Sequence, residues 1–320
     1  MLQHLRGLLI AAMLVTVLAA CGPANNTDGN VTLRFAMNVG EQAAACGRSY
    51  PGVGSAGTEV TFTDLRFYVS NIRLINAQGQ EVPLELTQDG VWQYQNVALL
   101  DFEDGSAGCS EGGNTATNNV VKGSVPAGRY TGVAFDMGVP FALNHLDVTA
   151  APSPLNIQAL WWNWQGGYKF MRVDMLTGGA PTAATEMGAP APTMEMGATA
   201  PASQGEMHDN KAPAPNAWFI HLGSTGCRSS DRATPPAAPC SNPNLVPVRL
   251  EGFDPGKSVI VADLASLLQG VPLNQNTPEP PGCMSGPKDP DCPALFSGLG
   301  LDLATGAVTG AQQLFRLQNP

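Results

Sequence analysis

Apolar and polar residues alternate along several short stretches of the chain. One face of an extended segment near the start carries Val31, Leu33, Phe35, Met37 and Val39, which is the period of a half-buried strand. Similar β-rich runs bounded by turn residues occur at 58–74, 81–86, 92–100, 130–137, 168–176, 217–222, 246–253 and 259–263. This spacing predicts an all-β fold, an antiparallel β-sandwich-like single domain with long loops and little helix.

Two runs carry more specific predictions. The run at 58–74 contains two β-rich pieces around Thr63 and Asp64, whereas 92–100 is predicted to be one strand. The short apolar run at 264–268 is the one predicted helical segment, and Asp263 is positioned to cap its first turn.

The β pattern stops between residues 177 and 215. This stretch consists mainly of Gly, Ala, Pro, Thr and Met and has no β-branched or aromatic run. Such sequence cannot bury a core, so we predict a disordered insertion in a β domain that spans residues 31–320. The insertion carries Met187, Met194, Met196, Met207 and His208.

Composition and charge narrow the class of protein. The 320 residues include 36 Gly and 27 Pro, which disfavour long helices, while 43% hydrophobic residues are enough for a core. The formal charge of −10 argues against nucleic acid or an anionic membrane surface as a partner.

The N-terminus has the pattern of a bacterial lipoprotein signal. Arg6 precedes an apolar run of about a dozen residues, which is short for a membrane span. Small residues then precede Cys21, so we predict a signal peptide at 1–20, a lipid anchor on Cys21 and a tether at 21–30. Gly22 favours the outer membrane, and the anchor is the predicted membrane contact.

Six further cysteines remain after the anchor. An even number in an exported chain predicts three disulfides rather than thiolate metal ligands. Six cysteines allow 15 pairings, and the short Pro-rich loops favour Cys227–Cys240 and Cys283–Cys292, which leaves Cys46–Cys109.

Few residues suit metal or acid–base chemistry. The exported chain keeps His145, His208 and His221, each a candidate metal ligand or a structural histidine. Met207 beside His208 adds a thioether, a ligand that suits Cu(I). The acidic turn of Asp101, Glu103 and Asp104 is expected to hold solvated carboxylates, with a calcium site as the alternative.

Catalytic motifs do not emerge from the sequence. There is no GxSxG, HExxH or P-loop pattern. Ser224 is too close to His221 in sequence for a conventional triad and has no evident orienting acid. We therefore predict that the protein is not an enzyme, and a secreted hydrolase at Ser224 is the weakest alternative.

Three of the five tryptophans lie within four residues, at Trp161, Trp162 and Trp164. Strand alternation would place Trp162 and Trp164 on one face and Trp161 on the other. The cluster fits a packed core, a platform for stacking carbohydrate, or a redox-active site.

Ordered motifs along the chain resemble those of the MbnP family, the four-Cys-motif proteins of the metallo-mystery pair. The matching stretches are FYVSNIRL at 67–74, LLDFEDG at 99–105, GVP at 138–140, LNH at 143–145, SPLN at 153–156, WNWQGGYKF at 162–170, HLGSTGC at 221–227 and GCMSGP at 282–287.

The resemblance implies an exported copper-binding protein at the cell envelope. Characterised members are paired with a di-haem cytochrome of the MauG or MbnH type, which oxidises a Trp to kynurenine that supports copper binding. By position, His145 and His221 become candidate copper ligands, His208 and Met207 remain secondary ones, and Trp164 or Trp162 becomes the oxidation site. The four-Cys motif corresponds to Cys227, Cys240, Cys283 and Cys292. A surface glycan-binding or adhesion sandwich that uses the three tryptophans is the alternative.

Overall fold

The computed structural model describes residues 26–110, 115–178, 214, 216–275 and 280–319. The predicted signal peptide, Cys21, and the part of the predicted insertion that contains Met207 and His208 lie outside these residues. The described strands are β1 (Asn26–Thr27), β2 (Asn30–Val39), β3 (Gln42–Ala43), β4 (Ser49–Val53), β5 (Thr58–Asn76), β6 (Glu81–Pro83), β7 (Glu85–Leu86), β8 (Gln93–Tyr94), β9 (Val97–Asp101), β10 (Val120–Ser124), β11 (Gly128–Met137), β12 (Trp161–Asn163), β13 (Gly167–Thr177), β14 (Ala217–Gly223), β15 (Val246–Glu251), β16 (Val259–Asp263), β17 (Gly282–Cys283) and β18 (Phe315–Gln318). The helices are α1 (Phe141–Asn144), α2 (Leu264–Leu268) and α3 (Pro293–Gly298).

These strands form two sheets. The larger sheet contains β1, β11, β5, β13, β14 and β17 in that order, with shorter strands added alongside, and the smaller one follows the order β18, β16, β2, β10, β7. The all-β sandwich predicted from the sequence is confirmed. Its sheets are mixed rather than purely antiparallel, because β2 pairs with β16 and β14 with β17 in parallel.

The core lies between the two sheets. Phe35 of β2 contacts Phe67 and Phe135 of the larger sheet edge to face, and Phe315 packs on the same two rings. The alternate residues of β2 that the pattern assigned to one face are all buried. Apolar alternation therefore identified the inner face of this strand correctly.

Strand β5 is the centre of the larger sheet. It runs unbroken for 19 residues and pairs with β4, β6, β9, β11 and β13. The expected division near Thr63 and Asp64 is absent, and only the register against β13 shifts there. The strand continues because both of its faces are buried, whereas a turn would need solvent-exposed polar residues.

Other local predictions had mixed outcomes. The run at 92–100 forms two strands, β8 and β9, because Gln95 takes a φ of 51° and turns the chain. Helix α2 begins where predicted, and the Asp263 carboxylate accepts hydrogen bonds from the backbone of Ala265 and Ser266. Within the predicted tether, Asn26 and Thr27 pair with β11.

Three disulfides fix the long loops, and they are the pairs that the loop lengths favour: Cys46–Cys109, Cys227–Cys240 and Cys283–Cys292. Within the residues that the structure describes, no helix has the length and apolar character needed to cross a bilayer.

Candidate metal centre

The loop between β11 and β12 covers the outer face of the larger sheet and carries His145. Two buried tyrosines attach it to the sheet: the Tyr68 hydroxyl donates to the carbonyl of Pro154 at 2.9 Å, and the Tyr168 hydroxyl donates to that of Leu155. Helix α1 is a single turn of this loop. Residues on the outer face of the sheet are therefore buried without belonging to the sandwich core.

His145 follows α1 and is a buried, neutral imidazole. Its Nδ1 lies 3.1 Å from the backbone carbonyl oxygen of Trp164, which can only accept, so Nδ1 carries the proton. Nε2 keeps the lone pair and accepts a hydrogen bond from Nδ2 of Asn144 at 3.2 Å. Burial lowers the pKa of His145. The ring is thus in the form that binds metals, with Nε2 as the donor atom.

Asn144 holds this arrangement against β13. Its side-chain oxygen accepts the backbone N–H of Tyr168 at 2.9 Å while its amide group faces His145. Gly167 precedes Tyr168 with a φ of 77° and lies so close to Asn144 that a Cβ there would overlap it. The GGY motif at 166–168 therefore supplies a backbone shape that only glycine allows next to the ligand loop.

A disulfide lies beside the imidazole of His145. Sγ of Cys240 is 3.5 Å from Nε2, and Cys227 completes a group of three possible ligand atoms within 4.8 Å of one another. Both sulfurs are bonded to each other, so neither is a thiolate ligand in this state. As folded, the donor of the group is the imidazole nitrogen.

The tryptophan cluster forms one wall of a cavity of about 800 Å³. Trp161 and Trp164 are in edge-to-face contact with ring centroids 5.8 Å apart. The cavity is lined by Asp147, Val148, Thr149, Gln158, Trp161, Trp162, Asn163, Trp164, Gln165, Gly166, Ser224, Thr225, Gly226, Cys227, Arg232, Ala233, Pro280 and Met284. Residues from three separate parts of the chain, 147–166, 224–233 and 280–284, meet here.

The predicted alternation of the tryptophans is wrong. Trp161 and Trp164 contact each other although they were assigned to opposite faces. The register between β12 and β13 shifts after Trp161, and the chain then turns, with the Gly166 backbone donating to Asn163. Trp162 instead lies against Gly223 at the end of β14, where a Cβ would come within 2.5 Å of the indole.

His221 lies on β14 in a different environment. Its ring is buried, stacks on Phe219 with an interplanar angle of 3°, and has Nε2 2.8 Å from a carboxylate oxygen of Asp174. The carboxylate places the proton on Nε2, so a neutral ring has its lone pair on Nδ1. No group of three potential His, Cys, Asp or Glu ligands in the described residues contains both His145 and His221.

A row of ionisable residues, all buried except the half-buried Arg172, crosses the outer face of the sheet and ends at His221. Asp101, Arg66, Arg172 and His221 are register partners on four adjacent strands. In the next row, Asp64 lies 3.1 Å from Arg172, and Asp174 lies 2.7 Å from it. Arg66 also pairs with Asp64 and lies 3.8 Å from Glu103.

Burial and neighbouring charges shift the pKa values of these carboxyl groups in opposite directions. Burial raises the pKa of Asp101 to about 7 and raises that of Glu103, although Arg66 opposes both shifts. The pKa of Asp174 falls well below its ordinary value: burial opposes ionisation, but Arg172 and His221 outweigh it. Asp174 is therefore ionised, whereas Asp101 titrates near neutral pH.

The acidic turn thus differs from its prediction. Asp104 is exposed as expected, but Asp101 and Glu103 are buried rather than solvated. Their position opposite Arg66 explains the burial, since one guanidinium can compensate carboxylates removed from water. Arg66 itself is fully buried, and its pairing with Asp64 raises its pKa despite desolvation.

Several site residues were not singled out from the sequence. Met284 brings a thioether to the cavity that the tryptophans also line, and Asn144 and Asp174 each orient a candidate histidine. Met284 and Asn144 lie inside the GCMSGP and LNH motifs, so the motif resemblance could have identified both of them as candidate site residues. Ser224 donates its hydroxyl proton to the carbonyl of Pro243 at 2.9 Å, which does not resemble an activated nucleophile.

Comparison with known proteins gives a consistent result. A family profile described as MbnP matches residues 28–285. The chain is similar to the solved structure titled MbnP from Methylosinus trichosporium, with 32% sequence identity and a TM-score of 0.72, over 91% of this chain and 98% of that one. No protein in the curated set that was searched matches the chain.

Proposed function

The chain belongs to the MbnP family, and from that premise we propose that it is an exported copper-binding protein that is matured by oxidation of one tryptophan to kynurenine. Copper would be held by His145 and His221, and the oxidant would be a di-haem cytochrome of the MauG or MbnH type. In this scheme the protein is the substrate of its partner and not a catalyst. Its place is the bacterial cell envelope, through the lipid on Cys21.

The donor chemistry supports copper. His145 has a defined lone pair on Nε2, and its lowered pKa keeps the proton from competing with a metal at neutral pH. Imidazole suits both oxidation states of copper, and the thioether of Met284 at the cavity suits Cu(I). Bound copper would supply a site for ligand exchange or electron transfer, and the chain's own residues set the orientation of the rings.

The hydrogen bond between His145 and the Trp164 carbonyl carries the proposal. It ties the candidate ligand to Trp164, which lines the cavity and whose oxidation would add an aniline nitrogen and a ketone oxygen. For that reason we favour Trp164 over Trp162. Trp161 is in edge-to-face contact with Trp164 and extends the electron-rich aromatic group from which an oxidising partner would remove electrons.

Mass spectrometry and metal analysis test the proposal together. The protein is produced with and without the di-haem partner, and conversion of Trp to kynurenine raises the intact mass by about 4 Da. Peptide mapping then identifies the residue. We expect one copper per chain in the modified protein and loss of this copper in His145→Ala and in His221→Ala. His208→Ala shows whether the predicted insertion contributes to copper binding. Unchanged copper in His221→Ala would refute the ligand assignment.

The glycan-binding alternative has one observation in its favour, the cavity with three tryptophans. It predicts saturable binding of oligosaccharides that is abolished by Trp162→Ala and independent of copper. Isothermal titration of a glycan panel against the metal-free protein distinguishes the two functions.

A further inference from the structure

The group formed by His145, Cys227 and Cys240 has the composition of a metal site in which two ligands are masked by their mutual bond. Its three ligand atoms lie within 4.8 Å of one another, and Nε2 of His145 lies 3.5 Å from Sγ of Cys240. A nitrogen about 2.1 Å and a sulfur about 2.3 Å from one tetrahedral ion lie about 3.6 Å apart. The imidazole and Cys240 are therefore already spaced as two ligands of one ion.

The cysteines would stay together without their disulfide. The two cysteines lie at the two ends of the 228–239 loop, and backbone hydrogen bonds hold these ends together. Thr225 and Asn242 form two such bonds, at 2.9 and 3.0 Å, and the backbone N–H of Ser241 donates to the carbonyl of Gly226. To bind one tetrahedral ion after reduction, the two sulfurs need to reach a separation of about 3.8 Å. Side-chain rotation supplies that movement while these hydrogen bonds hold the backbone.

The location of this disulfide favours its reduction over that of the others. Cys227 is half-buried and lines the cavity, so a reductant has a route to it. By contrast, Cys283 and Cys292 are completely buried, as is Cys109, whose partner Cys46 is half-buried but does not line the cavity. Thiol–disulfide exchange requires access of the attacking thiolate to a sulfur.

We propose that reduction of Cys227–Cys240 creates an alternative metal site of one imidazole and two thiolates for a d¹⁰ cation such as Zn²⁺ or Cu⁺, open to the cavity at its fourth position. It uses the same Nε2 of His145 as the proposed copper site, so the two sites exclude each other. A dithiol reductant transfers two electrons and two protons to the disulfide and becomes a disulfide itself. The cation then displaces the two thiol protons and binds Nε2 of His145, which loses none. The Asn144 amide releases Nε2 in the same step.

The site does not depend on copper binding by His221 or on a modified tryptophan. Copper bound by the oxidised protein tests the function proposed above, whereas thiolate coordination in the reduced protein tests this inference. Either can fail while the other stands.

Cadmium is the probe, because thiolate-bound Cd²⁺ has a charge-transfer absorption in the ultraviolet. The Cys21→Ser chain is reduced with a dithiol under argon, freed of reductant and titrated with Cd²⁺. We expect one Cd²⁺ per reduced chain with the thiolate band, no such band in the oxidised chain, and alkylation of Cys227 and Cys240 alone in a parallel sample.

Two variants complete the test. Cys227→Ser with Cys240→Ser should abolish the band. His145→Ala keeps both cysteines and should weaken Cd²⁺ binding at least tenfold after reduction, with circular dichroism to confirm that the variant is folded. Equal affinity in His145→Ala would overturn the proposal. The proposal would also be overturned if another cysteine pair were alkylated before Cys227 and Cys240. The same holds if the Cys227–Cys240 disulfide were reduced only under conditions in which circular dichroism shows loss of the fold.

Discussion

Asp174 and His221 form a buried pair in which Nε2 of the imidazole lies 2.8 Å from the carboxylate. Asp174 reaches the ring from the adjacent strand and also binds Arg172 at 2.7 Å. A carboxylate in this position sets both the orientation and the tautomer of a metal-binding histidine. We therefore regard Asp174 as a positioning residue for His221.

Replacing Asp174 with Asn should destabilise the fold and alter the histidine together. Loss of the carboxylate leaves Arg172 with less compensation, and we expect a decrease of about 3 kcal/mol in the free energy of unfolding at pH 7. Because the folded-state pKa of Asp174 is depressed, its contribution is present above about pH 4 and is lost at lower pH. Urea denaturation at pH 7 and pH 3 should therefore show a difference that shrinks in acid.

Glu41→Gln is the matched control, since the Glu41 side chain is 93% exposed. It should change stability by less than about 0.5 kcal/mol. A pH-independent loss in Asp174→Asn would contradict the assignment of an ionised carboxylate.

Asp101→Asn should remove a pH dependence near neutrality. The folded pKa of Asp101 is raised to about 7, so between about pH 4 and pH 7 the unfolded chain gives up a proton that the folded chain retains. Wild-type stability should therefore decrease by about 2–3 kcal/mol between pH 5 and pH 8 from this group. In Asp101→Asn that part of the slope should vanish, as measured by urea denaturation at several pH values. An unchanged slope of stability against pH in Asp101→Asn would show that the pH dependence comes from another group.

Substitutions of Asn144 should change the titration of His145 in a defined order. In Asn144→Ala the donor to Nε2 is lost, and with it a contact that favours the neutral ring, so the pKa of His145 should rise. Asn144→Asp keeps an acceptor for the Tyr168 N–H and adds a negative charge, so the rise should be larger. Proton NMR of the imidazole against pH measures both. The reverse order would show that Asn144 does not contact Nε2.

Gly223→Ala should displace Trp162. The new Cβ would lie 2.5 Å from the indole and 2.8 Å from the backbone oxygen of Tyr168, so the ring must move. We expect a loss of about 1–3 kcal/mol in unfolding free energy and a shift of tryptophan fluorescence. Gly256→Ala is the control, because Gly256 is exposed and its nearest contact is 3.4 Å away. Equal behaviour of the two variants would exclude close packing of Trp162 on β14.

The sequence predicts the sandwich well where one face of a strand is polar. Strand β2 has that property, and its buried residues follow the alternation. In β5, by contrast, both faces are buried, and Thr63 and Asp64 resembled a break between two strands, although Asp64 pairs with Arg66 of the same strand and with Arg172 of β13. Local pattern cannot reveal a partner such as Arg172, which lies far along the chain.

The same limit applies to the candidate metal centre. His145 and the tryptophans were visible as unusual residues, but the contact of His145 with Cys240 joins positions 95 residues apart. Trp164 was assigned to the wrong face because the turn through Gly166 ends the strand period. Motif resemblance located the residues, whereas their mutual geometry required the fold.

The cavity has a consequence for the maturation proposed above. Its tryptophans come from the middle of the chain, while Pro280 and Met284, which also line it, lie much later in the sequence. A chain that ends before Pro280 lacks this part of the lining. An enzyme that recognised Trp164 through the complete cavity would thus distinguish finished molecules from fragments, and the modification would serve as a record that folding had been completed.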